Sequence, residues 1–241
     1  MFGILRPGWL FKMKRGHIFP GFWLNFESGE GSGKGTHINL LRDYLKNKKF
    51  FVEIGREPGE TKVGEIFRNI LQNPKFPELD FKTEMLIYVA SGIELFTQKI
   101  KPVLSDGGIF VTDRWRYSTL AYQGYGLGID LDLIERLIKF SCDNCYPDIT
   151  FLIDIDPKIG LLKASQKKEF SSEDKIEART LEYHKKVNKG YMIIAKDNPS
   201  QFRVIPYIND GIDAMQNQIR EEVYKFILNH NLEDKLKRIK N

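Results

Sequence analysis

The run Ser28-Gly29-Glu30-Gly31-Ser32-Gly33-Lys34-Gly35-Thr36 constrains this chain more than any other stretch. An apolar segment, Phe22 to Glu27, precedes it, and Ile38, Leu41 and Leu45 follow at helical spacing. Glycines let the backbone turn its N–H groups toward one point, and the start of the following helix adds partial positive charge there. A strand, a glycine-rich turn and a helix in that order predict a loop that cradles phosphate, with Lys34 reaching the outer oxygens. The match to G-x-x-x-x-G-K-[ST] is imperfect, because Ser28 fills the first glycine slot and Gly35 the hydroxyl slot. The plainer alternative, a turn carrying a surface lysine, does not account for the strand before it and the helix after it.

The rest of the chain keeps the alternation. Strands are expected at 22–27, 51–54, 109–112, 149–154 and 202–205, and helices at 34–47, 63–71, 82–104, 131–140, from Pro157 onward, and at 212–228. That order predicts an α/β three-layer sandwich, a parallel sheet with helices on both faces. The polar stretch 166–177 is expected to be a small lid. With 41% hydrophobic residues among 241, the chain has material for one core, taken as residues 22–228. Residues 1–21 read as an extension without the apolar region of a signal peptide, and Met13 is an alternative start. Residues 229–241 read as a basic tail, a solvated helix end.

Charge narrows the partners. A formal charge of +5 and a pI near 9.0 suit a protein that handles anions, but the basic residues are spread along the chain. Nucleic-acid binding would rest on pI alone, and no segment has the length of a membrane span. Cys142 and Cys145 form a lone C-x-x-C without further ligands for zinc, so they read as incidental thiols of a reducing, cytoplasmic protein.

Several short motifs then appear in a fixed order: Phe26-Glu27, Arg56-Glu57-Pro58-Gly59, Thr83-Glu84-Met85-Leu86, Asp113-Arg114-Trp115, Ser118-Thr119-Leu120-Ala121-Tyr122-Gln123-Gly124 and Asp154-Ile155-Asp156-Pro157. Leu181-Glu182-Tyr183-His184 and Gly190-Tyr191 follow. The ordered set resembles the thymidylate kinase family of P-loop nucleoside-monophosphate kinases over residues 22 to 228.

The resemblance implies ATP and Mg²⁺ as cofactors, dTMP as acceptor and a homodimer. It places Lys34 on the ATP phosphates and Arg56 and Arg114 on the acceptor phosphate, a task suited to guanidinium forks. It gives Asp113 the support of Mg²⁺ through water or the orientation of the acceptor phosphate, Tyr88 the stacking position against the base and Thr119 the pyrimidine edge, and it counts Gln123 among the substrate-binding residues. Tyr122 crowds a ribose 2′-hydroxyl, and Glu30 contacts the sugar 3′-hydroxyl. Because Glu30, Gly31 and Ser32 bring no cation to the loop, the catalytic cation is expected from Lys163, Lys167, Lys168, Lys175 or Arg179.

One position departs from the family. An arginine that donates to the base O4 usually follows the stacking aromatic by four residues, and here Gly92 stands there. Arg116 and Gln98 are the nearest replacements by sequence, and a weaker separation of dTMP from other pyrimidine monophosphates is expected. A broader deoxynucleotide kinase and a non-catalytic nucleotide-binding regulator are the competing readings. Two phosphate-reading arginines argue against the second.

Overall fold

The computed structural model describes residues 17–73, 75, 76, 79–166, 176 and 178–239. Five parallel strands form one sheet in the order β2-β3-β1-β4-β5. They are β1 (Phe22–Ser28), β2 (Val52–Arg56), β3 (Ile109–Asp113), β4 (Ile149–Asp154) and β5 (Phe202–Pro206). Every residue of the central strand β1 is buried, as expected for a strand covered on both faces. Each crossover is helical: α1 (Lys34–Asn47), α2 (Lys62–Gln72), α3 (Phe81–Leu95), α4 (Lys101–Ser105), α5 (Arg116–Thr119), α6 (Leu131–Ser141), α7 (Pro157–Gln166) and α8 (Leu181–Asp197), with α9 (Ile212–Asn229) after β5.

The register sets the site. Phe26 and Arg56 both pair with Asp113, so the loop after β1, the end of β2 and the end of β3 open at one edge. Neighbouring strands β1 and β3 lead away in opposite directions there, which is where parallel sheets make their clefts.

The long helix expected over 82–104 is interrupted. It breaks into α3, a π-helical turn Phe96–Ile100 and α4, and a second π-helical turn, Leu120–Gly126, extends α5. Apolar spacing alone does not distinguish these from continuous α-helix, since each π turn adds a residue while keeping the buried side inward.

The basic tail differs from the solvated end expected of it. Leu232 and Leu236 are buried in the core formed by β1, α1 and α9. Phe51 N donates to Lys237 O at 2.9 Å, Lys237 N to Gly107 O at 2.8 Å and Ile239 N to Lys49 O at 2.8 Å. At the other end, His17 Nε2 lies 2.8 Å from buried Asp148, so packing begins before residue 22. Residues 1–16 of the expected extension, and 167–175 and 177 of the expected lid, lie outside the described residues.

Candidate active site

The phosphate loop is shaped by two left-handed glycines and a backbone contact. Gly31 has φ +65° and Gly33, which precedes α1, φ +79°, values that favour glycine. A Cβ on Gly31 would run into the backbone of Gly160 in α7, and one on Gly160 into the carbonyl of Glu30, so loop and helix touch main chain to main chain. Ser28, in the first glycine slot, turns its hydroxyl under the loop, where it accepts from Ser32 Oγ at 2.8 Å. All nine loop residues, Ser28 to Thr36, line one open groove together with Asn39, Arg114 and Ala164.

A second cleft lies beside it. Glu30, Lys34, Arg56, Tyr88, Asp113, Arg114, Thr119, Tyr122 and Gln123, drawn from the phosphate loop, the ends of β2 and β3, α3 and the turn after β3, line this one cleft. Lys34, Arg114 and Glu30 belong to both walls, so the groove and the cleft meet at two cations.

Arg114 is held at that junction by force of geometry. Its φ of +69° is unusual for a residue with a side chain, and such strain gathers at functional sites. One guanidinium nitrogen donates to Ser28 O at 2.8 Å and to Tyr191 Oη at 3.2 Å, and the other spans the Glu30 carboxylate at 3.0 and 3.2 Å. Tyr122 donates its hydroxyl to Glu30 at 2.5 Å. Burial pushes the Glu30 carboxyl up, but Arg114 and the Tyr122 hydroxyl outweigh it and hold Glu30 below the usual carboxylate range. Lys34 pairs with Asp113. Burial, with the like charge of Arg114 nearby, pushes the Lys34 ammonium down to about 7.

Glu27 supports this wall from beneath. It is fully buried on β1 and accepts from Trp115 N at 2.9 Å, Ser118 Oγ at 2.6 Å, Tyr191 Oη at 2.9 Å and Asn25 Nδ2 at 3.0 Å. Its sequence signal is a carboxylate in a mostly apolar strand, which must find donors when buried. Arg68 and Gln72, four apart on α2, also line the cleft and were missed, having no motif to mark them.

Three other expected positions lie off the cleft wall. Gly92 is not among the residues lining the cleft; a Cβ there would lie 2.7 Å from Glu57 Oε1, so the carboxylate of Glu57, which does line the cleft, occupies the space beside it. Neither replacement for the absent arginine reaches the cleft wall. Arg116 is buried against Cys142 and the Cys145 carbonyl, and Gln98 is exposed beside Glu94. Of the candidate lid cations, Lys163 borders a hollow next to the loop with Tyr207, while Arg179 donates to buried Glu84 at 2.7 Å. Lys167, Lys168 and Lys175 lie outside the described residues.

A family model for thymidylate kinase matches residues 26–219, which include both walls of the site. The chain belongs to the thymidylate kinase family. A thymidylate kinase of Legionella pneumophila strain Corby is 37% identical over 207 residues, covering 86% of this chain and 95% of that protein. One from Carboxydothermus hydrogenoformans is 40% identical over 185 residues, covering 77% and 88%. The crystal structure of a thymidylate kinase from Ehrlichia chaffeensis superposes with a TM-score of 0.67 at 33% identity, over 85% of this chain and 98% of that one. Membership of the thymidylate kinase family agrees with the α/β sheet order and with the phosphate loop that opens the site.

Proposed function

We propose that this chain transfers the γ-phosphoryl group of ATP to dTMP. The observation that carries the reading is the junction of groove and cleft at Lys34 and Arg114. Two polyanions brought together there need their oxygens neutralised and placed in line, and the protein has little covalent work to do. The loop N–H groups and Lys34 take the donor phosphates. Arg114, and Arg56 once released from its exposed pairing with Glu65 at 3.0 Å, take the acceptor phosphate. Tyr88 faces the base, Thr119 and Gln123 its edge, and the Glu30–Tyr122 pair the sugar, with the phenol crowding a 2′-hydroxyl.

Mg²⁺ fits the donor set. Among the described residues no group of three His, Cys, Asp or Glu side chains forms a cage; Asp113 stands beside the loop next to Lys34, while the loop's own carboxylate, Glu30, is taken by Arg114 and Tyr122. That suits an ion held by one carboxylate, waters and nucleotide phosphates, where it would neutralise charge on the transferring group. A cytoplasmic homodimer is the expected setting, supported by the family. Among the described residues no helix is long and apolar enough to cross a membrane.

The test is a coupled ADP-release assay across deoxy- and ribonucleoside monophosphates, with light scattering for the dimer. Turnover greatest with dTMP is expected. ADP release independent of any monophosphate would remove the acceptor assignment.

A further inference from the structure

One edge of the acceptor cleft is oriented by a buried ion pair between Glu84 and Arg179. Gln123 is 1% exposed and lines the cleft beside Tyr88 and Thr119. Its amide nitrogen donates to Glu84 Oε1 at 3.1 Å, and Glu84, 0% exposed on α3, receives Arg179 on its other oxygen at 2.7 Å. Arg179 also donates to Tyr183 Oη at 2.7 Å, and that hydroxyl donates to the Tyr122 carbonyl at 3.2 Å.

A carboxylate paired with a guanidinium can only accept. The Gln123 amide therefore cannot rotate by half a turn, because its carbonyl would then face the Glu84 carboxylate. Its nitrogen is held inward on Glu84, and its oxygen is the end left for the cleft that Gln123 lines.

We infer that Glu84 is a positioning residue for base selection: by holding the Gln123 nitrogen it presents the Gln123 carbonyl oxygen to the base, where it accepts the N3–H of thymine or uracil. The inference rests on the acceptor cleft assigned above. Cytosine has a bare N3 lone pair at that place, so two acceptors would meet, and the amide cannot turn to adapt. A site built to accept a hydrogen bond rejects an analogue that lacks the donor by about 10- to 100-fold or more. Discrimination against dCMP then needs no donor at position 92, which replaces the blunted selectivity expected from Gly92.

The experiment measures kcat/KM for dTMP, dUMP and dCMP with wild type and Glu84→Gln, alongside thermal unfolding and KM for ATP. The wild type is expected to prefer dTMP and dUMP over dCMP by at least about tenfold. In Glu84→Gln, whose amide can donate as well as accept, the dTMP to dCMP ratio should fall by about tenfold while the KM for ATP holds. A folded Glu84→Gln protein with an unchanged ratio overturns the inference. If Glu84→Gln does not fold, wild type decides it with 3-methyl-dTMP, which lacks the N3–H: a loss of about tenfold or more supports the inference and equal use overturns it. A wild type that uses dCMP as well as dTMP also overturns it and leaves the kinase reading intact, whereas a wild type that turns over no monophosphate overturns the kinase reading itself.

Discussion

At the scale of single residues, Arg114 and Glu57 show opposite kinds of constraint. Arg114 has a left-handed backbone, its guanidinium is held by Glu30, Ser28 and Tyr191, and it lines both the groove and the cleft. Arg114→Ala should leave binding of an ATP analogue within about fivefold and lower kcat/KM for dTMP by roughly 10²–10³-fold, since the charge it supplies matters most in the transition state. Calorimetry and the coupled assay together check this, and the reverse pattern would place Arg114 on the donor. Glu57 is a burden on stability. Burial and the Glu27 carboxylate push it up to about 8, with partial relief from Arg116, and its Oε2 has no partner among the described residues. Below about pH 4.5, folded and unfolded chains both hold the proton, and the burial costs no ionisation energy. Between about 4.5 and 8 the unfolded chain releases the proton while the folded one keeps it, so stability falls as pH rises. By pH 7 the loss is on the order of 3 kcal/mol at most. Urea unfolding of Glu57→Gln should therefore show a gain over wild type at pH 7 that fades toward pH 4.5. A gain independent of pH would contradict this. Lys34, Arg56, Arg114, Tyr88 and Gln123 are marked in the sequence by the phosphate loop and the family resemblance; Glu27, Glu57 and Glu84 stand in the same ordered motifs without a readable role, because their roles depend on partners far along the chain, and no motif marks Arg68.

Among elements, the contact that most directly shapes the site joins the phosphate loop to α7. Gly31 and Gly160 allow the two backbones to touch, and a methyl at Gly160 would push against the Glu30 carbonyl. Gly160→Ala is expected to raise the KM for ATP by about tenfold, with a smaller effect on KM for dTMP, because the added Cβ would lie 2.3 Å from the Glu30 carbonyl oxygen and the loop backbone must move to make room. Steady-state kinetics with each substrate varied will show it; unchanged constants would mean that the loop tolerates the shift. The five strands and their order of connection could be read from alternating apolar runs and turn signals, as could α1 and α9. The π turns at Phe96–Ile100 and Leu120–Gly126 could not, because hydrophobic spacing tolerates one inserted residue and hydrogen-bond pattern is invisible in sequence.

For the whole molecule, the core extends further than the alternating pattern implies. Leu232 and Leu236 close it under β1 and α1, and the tail backbone bonds to residues 49, 51 and 107 near the starts of β2 and β3, at the opposite end from the site. Leu236→Ala should cost about 2–4 kcal/mol in urea unfolding, the range for a buried leucine, and leave kcat near wild type. Basic composition hid this role, since Lys235, Lys237 and Arg238 alternate with the two leucines and dominate the local charge. The account of the molecule as a phosphoryl-transfer enzyme stands on Lys34 and Arg114 joining two clefts. Phosphorus NMR of ATP, Mg²⁺ and dTMP with the wild type and with Lys34→Ala tests it most directly. dTDP and ADP should appear in equal amounts with the wild type, and at a rate lower by about 10²-fold or more with a folded Lys34→Ala. Near-normal dTDP formation by Lys34→Ala, or ADP without dTDP from the wild type, would contradict it.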